Sequence, residues 1–139
     1  MRTKNHILLL ALFLLVVGVL YYLLVRDSIV ASRWFGISSW HQNFIAIRVD
    51  WLPSFVHQFS FVILTWLALD RKYIYFPLGL WFSINIIFEL GQALPKDYRC
   101  YFPKVISDYF KYGTYSESDM YAIFVATIMA YFYLKKQES

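Results

Sequence analysis

The stretch ILLLALFLLVVGVLYYLLV, residues 7–25, decides what kind of fold this chain can have. It carries no charged side chain. As a helix rising about 1.5 Å per residue it would be about 28 Å long, close to the ~30 Å hydrocarbon core of a bilayer. Basic Arg2 and Lys4 precede it. A cleaved signal peptide is the alternative, but the apolar region of such a peptide usually runs about 7–15 residues. No small-x-small cleavage site follows the run. It therefore reads as a retained transmembrane helix.

The composition agrees. The chain has 139 residues, of which 60% are hydrophobic and 16% charged. Soluble domains carry roughly 25% charged residues. Aromatics make up 22%, an excess that suits interfacial belts. The net charge of +4 comes from basic residues scattered between apolar runs, so no nucleic-acid partner is expected. The one cysteine, Cys100, excludes an intrachain disulfide and a Cys-rich metal site.

Three more apolar segments follow. Residues 52–69 begin with Pro53, tolerated in a first turn because its missing N–H has no helical partner there, and stop at Asp70, Arg71 and Lys72. Residues 73–94 hold Pro77 near their start, and Pro95 ends them. Residues 119–134 run up to Lys135 and Lys136. Two shorter helices are expected between these segments. In SSWHQNFIAIRVDW (38–51), Ser39 and Gln42 have capping-box spacing, and Trp40, Phe44 and Ile47 recur at i, i+4, i+7. In PKVISDYFKYG (103–113), Pro103 opens and Gly113 closes a helix whose Tyr109, Phe110 and Tyr112 would sit at headgroup level.

The expected fold is thus an all-α integral membrane protein. It is a single transmembrane domain over 1–139, a bundle of four transmembrane helices with two short interfacial helices in the outer loops. The bilayer is its first partner. Arg2, Lys4, Arg71, Lys72, Lys135 and Lys136 lie close beside helix ends, whereas Arg26, Arg33, Arg48, Lys96, Arg99, Lys104 and Lys111 are spread over two long loops. Positive charge near helix ends sets orientation, so both termini are expected in the cytoplasm.

The polar residues inside the apolar segments are ordered. Asn85, Glu89 and Gln92 fall at i, i+4, i+7, on one face of the third segment. Ser54, Gln58 and Thr65 form a looser stripe on the second, beside His57. On the fourth, Ala122, Ala126 and Ala130 make a small-xxx-small stripe that lets helix backbones approach closely, with Asp119 at its head. His57 lies about 6 Å into its helix and Glu89 about 7.5 Å from the end of its own. The connectivity puts both, with Gln92 and Asp119, toward the same membrane face. Acids inside a membrane are functional by default, since inserting one costs roughly 2.5–3.5 kcal/mol at the bilayer centre. Interhelical hydrogen bonding is the plainer role, and it suits Asn85, Gln92 and Thr65; for His57 alone, a packing partner suffices. No His spacing fits a metal site, and no cofactor motif is present.

LPSFVHQFSFVILTWLAL (52–69), then FELGQ (88–92), then GTYSESDMYAIF (113–124) resemble the VanZ-like family of small bacterial membrane proteins. That family shows a His near the start of one helix, a Glu-x-x-Gln pair at the end of the next, and an Asp opening the last. The matching positions are His57, Glu89 with Gln92, and Asp119. The resemblance covers residues 51–133. Thr114 and Tyr115 stand where the family carries an Arg, Ile123 where it carries an Asn, and Ala126 and Ala130 where it carries glycines. The resemblance implies a multi-pass protein of the bacterial inner membrane, and its founder is linked to teicoplanin resistance.

Three functions fit these residues. The first is a non-enzymatic envelope protein, linked to cell-wall or antibiotic stress, with a polar cleft near the outer face formed by Glu89, Gln92, His57 and Asp119. That cleft would bind a lipid headgroup, a cell-wall precursor or a membrane partner. The second is a membrane enzyme using Glu89 and Asp119 as acid and base on a lipid-linked substrate. The third is a small oligomeric proton-coupled transporter. The chain has no triad order, phosphate loop or dense Arg/His motif, which lowers the enzyme. Glu89 lies nearer one face than the midplane, which lowers the transporter.

Overall fold

The computed structural model describes residues 4–25, 49–99 and 101–138. Among them are six helices and no strand: α1 (Lys4–Val25), α2 (Leu52–Ala68), α3 (Tyr75–Ala93), α4 (Lys96–Arg99), α5 (Lys104–Tyr112) and α6 (Glu117–Glu138). The four expected apolar segments each fall on one long helix. Helix α6 runs on through Lys135 and Lys136 to Glu138, and α4 was not expected. The short helix expected around residues 39–47 lies outside the described residues, as does Cys100.

The helix ends follow local chemistry. Pro53 is in the first turn of α2 and Pro77 in that of α3, positions whose N–H groups would have no helical partner. Helix α2 ends in a tight turn with Asp70 at φ 52° and Arg71 at φ 65°. An L side chain there is strained by roughly 1–2 kcal/mol. Around the turn, the Arg71 guanidinium stands 5.7 Å over the Trp66 ring, and at the surface Lys4 Nζ lies 3.3 Å from Asp70 Oδ1.

The same pair places the start of α1 beside the end of α2. At the other end, the Val49 N–H donates to the Tyr21 hydroxyl at 2.8 Å, so α1 and α2 are antiparallel. Between these ends, Gly18 lets the helices close up: a Cβ there would stand 3.1 Å from Val56 Cγ1. Helix α3 runs antiparallel to α2, with Trp81 Nε1 donating to Thr65 Oγ1 at 2.7 Å. It is also antiparallel to α6, with the ring pairs Tyr75–Tyr131 and Phe82–Phe124 at 6.2 and 6.4 Å. Helix α2 is the hub, packed against α1, α3 and α6. The core lies along it, from Ile7 and Ala11 of α1 through Val62, Ile63 and Trp66 to Ala126 and Ala130 of α6.

The outside of the bundle is apolar. Phe13 on α1 is 64% exposed, Ile87 on α3 62% and Phe132 on α6 65%. Gln58, by contrast, is fully enclosed. Among the described helices, one, α1, is long and apolar enough by length and composition to cross a membrane; α2 is apolar but shorter, at 17 residues.

Candidate functional site

The polar stripe on α3 divides into two sites. At mid-bundle, Asn85 Nδ2 donates to Gln58 Oε1 at 2.6 Å, and Gln58 Nε2 donates to Thr127 Oγ1 at 2.8 Å. Thr127 Oγ1 in turn donates to the Ile123 carbonyl at 2.8 Å. This chain of bonds clamps α3, α2 and α6 together. The sequence reading missed Thr127; it stands one residue after Ala126, a hydroxyl in an otherwise apolar stretch.

Toward the end of α3 the character changes. Glu89 and Gln92 are both buried, and Gln92 Nε2 reaches Glu89 Oε1 at 3.4 Å and the Tyr109 hydroxyl at 3.5 Å. These lengths are at the outer limit for a hydrogen bond. Helix α5 covers this end. Its Phe110 ring sits on Gly91, where a Cβ would overlap the ring, and a Cβ at Gly113 would stand 2.6 Å from Gln92 Cδ. Phe88 meets Tyr109 and Phe110 edge-on at 5.2 and 5.9 Å. Phe110 is therefore buried, at 2% exposure, its ring turned into the bundle. Tyr109 is half exposed.

Arg99, also missed, closes the end of α3. Its Nε donates to the Leu94 carbonyl at 2.9 Å and its Nη2 to the Gln92 carbonyl at 3.1 Å. Terminal carbonyls of a helix lack intrahelical donors, and a cation there opposes the negative end of the helix dipole. The signal for it was a basic residue a few positions beyond the Pro95 stop.

Asp119, 1% exposed, lies in the first turn of α6. The α3–α6 register follows from Tyr75–Tyr131 and Phe82–Phe124: one step forward on α3 matches one step back on α6. Extended, it sets Glu89 within about one turn, roughly 3 Å of rise, of Asp119. The two acids are thus buried at one level, but they differ in helix electrostatics. Asp119 sits where the positive end of the dipole favours an acid by about 0.3–1 kcal/mol; Glu89 sits near the negative end, where an acid is disfavoured. Helix stability accounts for Asp119 and not for Glu89.

His57 is set apart. Its ring stacks on Phe61 at 5.9 Å, and its Nε2 would lie 3.8 Å from a Cβ on Gly18, so it faces the α1 seam. The neighbouring Gln58, turned by about 100°, faces α3 and α6 instead. The structure therefore brings Glu89, Gln92 and Asp119 to one end of the α3–α6 pair, and puts His57 on a different face of α2.

The chain matches no family model, no curated relative and no solved structure.

Proposed function

We propose that this chain is a multi-pass membrane protein of the bacterial envelope. Its α1, α2, α3 and α6 would cross the bilayer, with both termini in the cytoplasm. Its Glu89–Gln92–Asp119 end would bind the hydroxylated or cationic headgroup of a lipid or cell-wall precursor at the outer face. The observation that carries this reading is an inversion of polarity along the long helices: Phe13, Ile87 and Phe132 are exposed there, while Gln58, Glu89, Gln92 and Asp119 are enclosed. Soluble monomers rarely expose contiguous apolar patches beyond a few hundred Å². The acid and amide at the end of α3, Glu89 and Gln92, and Asp119 of α6 face inward, while Glu117, Ser118, Lys135 and Lys136 stand exposed at the two ends of α6. At about 1.5 Å per residue, α2, α3 and α6 are about 25, 28 and 33 Å long, within what a slightly thinned or tilted bilayer accepts. The resemblance to the VanZ-like family supports the same reading.

The orientation has a direct test. Cys100, in the segment between α4 and α5, should react with a membrane-impermeant maleimide on intact cells. Labelling only after lysis would invert the topology.

The binding role is tested on protein extracted from membranes, by native mass spectrometry of retained lipid together with melting in detergent. Glu89→Gln keeps size and hydrogen bonding and removes the charge. We expect it to melt like the parent and to retain roughly ten- to a hundredfold less lipid, the loss of one charge-assisted hydrogen bond of about 1.5–3 kcal/mol. Asp119→Asn should lose lipid alike and, having lost its charge at the start of α6, about 0.3–1 kcal/mol of stability as well. Full retention of lipid by a stably folded Glu89→Gln would sink the charge-dependent site. Conversion of the lipid by the parent, lost in both variants, would favour the acid–base enzyme.

A further inference from the structure

We propose that the face of α2 between α1 and α3 seats one phospholipid, with an acyl-ester carbonyl on the His57 imidazole and an acyl chain along the Phe61 and Trp81 rings. This rests on the reading that α2 crosses the bilayer, and it concerns a face apart from the Glu89 end. Helices α1 and α3 both pack on α2 but make no substantial contact with each other. Val56 of α2 meets α1, where a Cβ on Gly18 would stand 3.1 Å from its Cγ1, and Gln58 accepts from Asn85 of α3. His57, about 100° around the helix from each, faces the gap between α1 and α3. Phe61, Leu64 and Ala68 follow it at i+4, i+7 and i+11, on the same face. His57, Phe61 and Leu64 are half-buried and Ala68 is exposed, whereas Val62, Ile63 and Trp66 are enclosed. Rings pave the gap: Phe61 stacks on His57 at 5.9 Å and on Trp81 of α3 at 4.5 Å. The Trp81 indole N–H donates to Thr65 at 2.7 Å, so what that ring leaves open is apolar.

The face is polar at one end only. Ser54 stands one turn before His57, nearer the start of α2, and is also half-buried. Among the described residues neither side chain has a hydrogen-bond partner; His57 has its ring contact with Phe61. A neutral imidazole holds one donor N–H and one acceptor nitrogen, and hydrocarbon satisfies neither. Side chains on a helix lean toward its N-terminus, so the imidazole reaches back toward the membrane face at which α2 starts. His57 lies about 6 Å into its helix, and a reach of about one turn, roughly 5 Å, recovers most of that depth. This is the level at which acyl esters join glycerol to the chains, with the phosphate farther out. An acyl chain running inward from there passes Phe61 and Trp81. Polar groups at the mouth and rings below follow the order of polarity of a phospholipid. The imidazole N–H donates to an ester carbonyl oxygen, and the Ser54 hydroxyl is a second donor at the mouth.

The test is a competition. The full chain is placed in nanodiscs of equal parts diacyl and dialkyl-ether phosphatidylglycerol with matched chains, then extracted in mild detergent. Native mass spectrometry counts the lipid retained. The two lipids share headgroup and tails and differ at the ester carbonyl. The parent should retain the diester over the diether by about three- to tenfold, the range of one neutral hydrogen bond. His57→Phe keeps a ring against Phe61 and removes the N–H, so its ratio should fall to about one. His57→Gln supplies a donor again and should raise the ratio back toward the parent's. His6→Phe, which removes an exposed imidazole near the start of α1, should leave it unchanged. Equal retention of both lipids by the parent overturns the proposal, since bulk lipid, or a second copy of the chain covering this face, shows no such preference. A His57→Phe chain with the parent's ratio overturns it too. A His57→Gln ratio as low as that of His57→Phe assigns the effect to the ring and not to the N–H, and also overturns it. Lipid held by its headgroup at the Glu89 end adds equally to both counts. Glu89→Gln should therefore lower total retention and keep the diester in excess, so the two sites fail separately.

Discussion

Ala130→Leu should destabilise the chain by about 2–3 kcal/mol, the upper range for forcing extra methylenes into a packed seam. Ala126→Leu should do the same. Both alanines are fully enclosed where α6 meets α2, in one cluster with Val62, Ile63 and Trp66. Small residues at such a seam let backbones approach, and in a bilayer that close packing is a main source of association. A leucine must either separate the helices or displace the large Trp66 ring, which is itself fully buried. The measurement is melting of the purified chain in detergent, with Ile128→Leu as the control. Ile128 is exposed on the other side of α6, and its substitution should stay within about 0.5 kcal/mol. Equal melting of all three variants would mean that α6 presents a different face to α2.

The alanine stripe was legible because its spacing alone defines a face. The long helices were legible for a similar reason: each is an apolar run bounded by proline or by charge, as at Pro53, Pro95 and Lys72. Helix α4 was not, since KDYR has neither periodicity nor an apolar face and is helical over four residues only. The limits of α5 could be read from Pro103 and Gly113, but its rotation could not. Phe110 was expected at headgroup level, a statement of depth alone, because aromatics commonly sit there. Its ring turns into the bundle because Gly91, distant in sequence, leaves a hole of the right size. That is a tertiary fact with no local signature.

The candidate site was legible to the same depth. Asn85, Glu89 and Gln92 were readable as one stripe, yet the structure divides them: Asn85 joins the clamp and the other two meet the cap. Which way each points along the bundle depends on Gln58 and Thr127, contributed by other helices. His57 and Gln58 are adjacent in sequence and both polar, but a step of about 100° around the helix sends one to α1 and the other to α3 and α6. Connectivity fixed their common depth. The rotation of α2 about its own axis, which decides partners, follows from packing against three neighbours at once.

The mid-bundle clamp carries the second large effect, and its sign depends on how many partners are removed. Gln58→Leu takes away the residue that both accepts from Asn85 and donates to Thr127. Interhelical hydrogen bonds in membranes average only about 0.6 kcal/mol each, so two would be worth about 1.2. That figure omits the stranded groups. The Asn85 amide, half-buried between helices, loses an acceptor, and an unsatisfied buried group costs about 1–3 kcal/mol. The expected loss for Gln58→Leu is therefore about 2–4 kcal/mol, larger than the bonds alone predict. Asn85→Leu in the same chain should recover at least half of it, since replacing both partners by apolar groups leaves nothing stranded on that side. Thr127 keeps its own bond to the Ile123 carbonyl throughout and needs no replacement. The measurement is a double-mutant cycle from melting or denaturant titration in detergent. Additive losses in the double variant would show that Asn85 and Gln58 do not depend on one another. A Gln58→Leu variant as stable as the parent would remove the clamp from the account of how these three helices stay together.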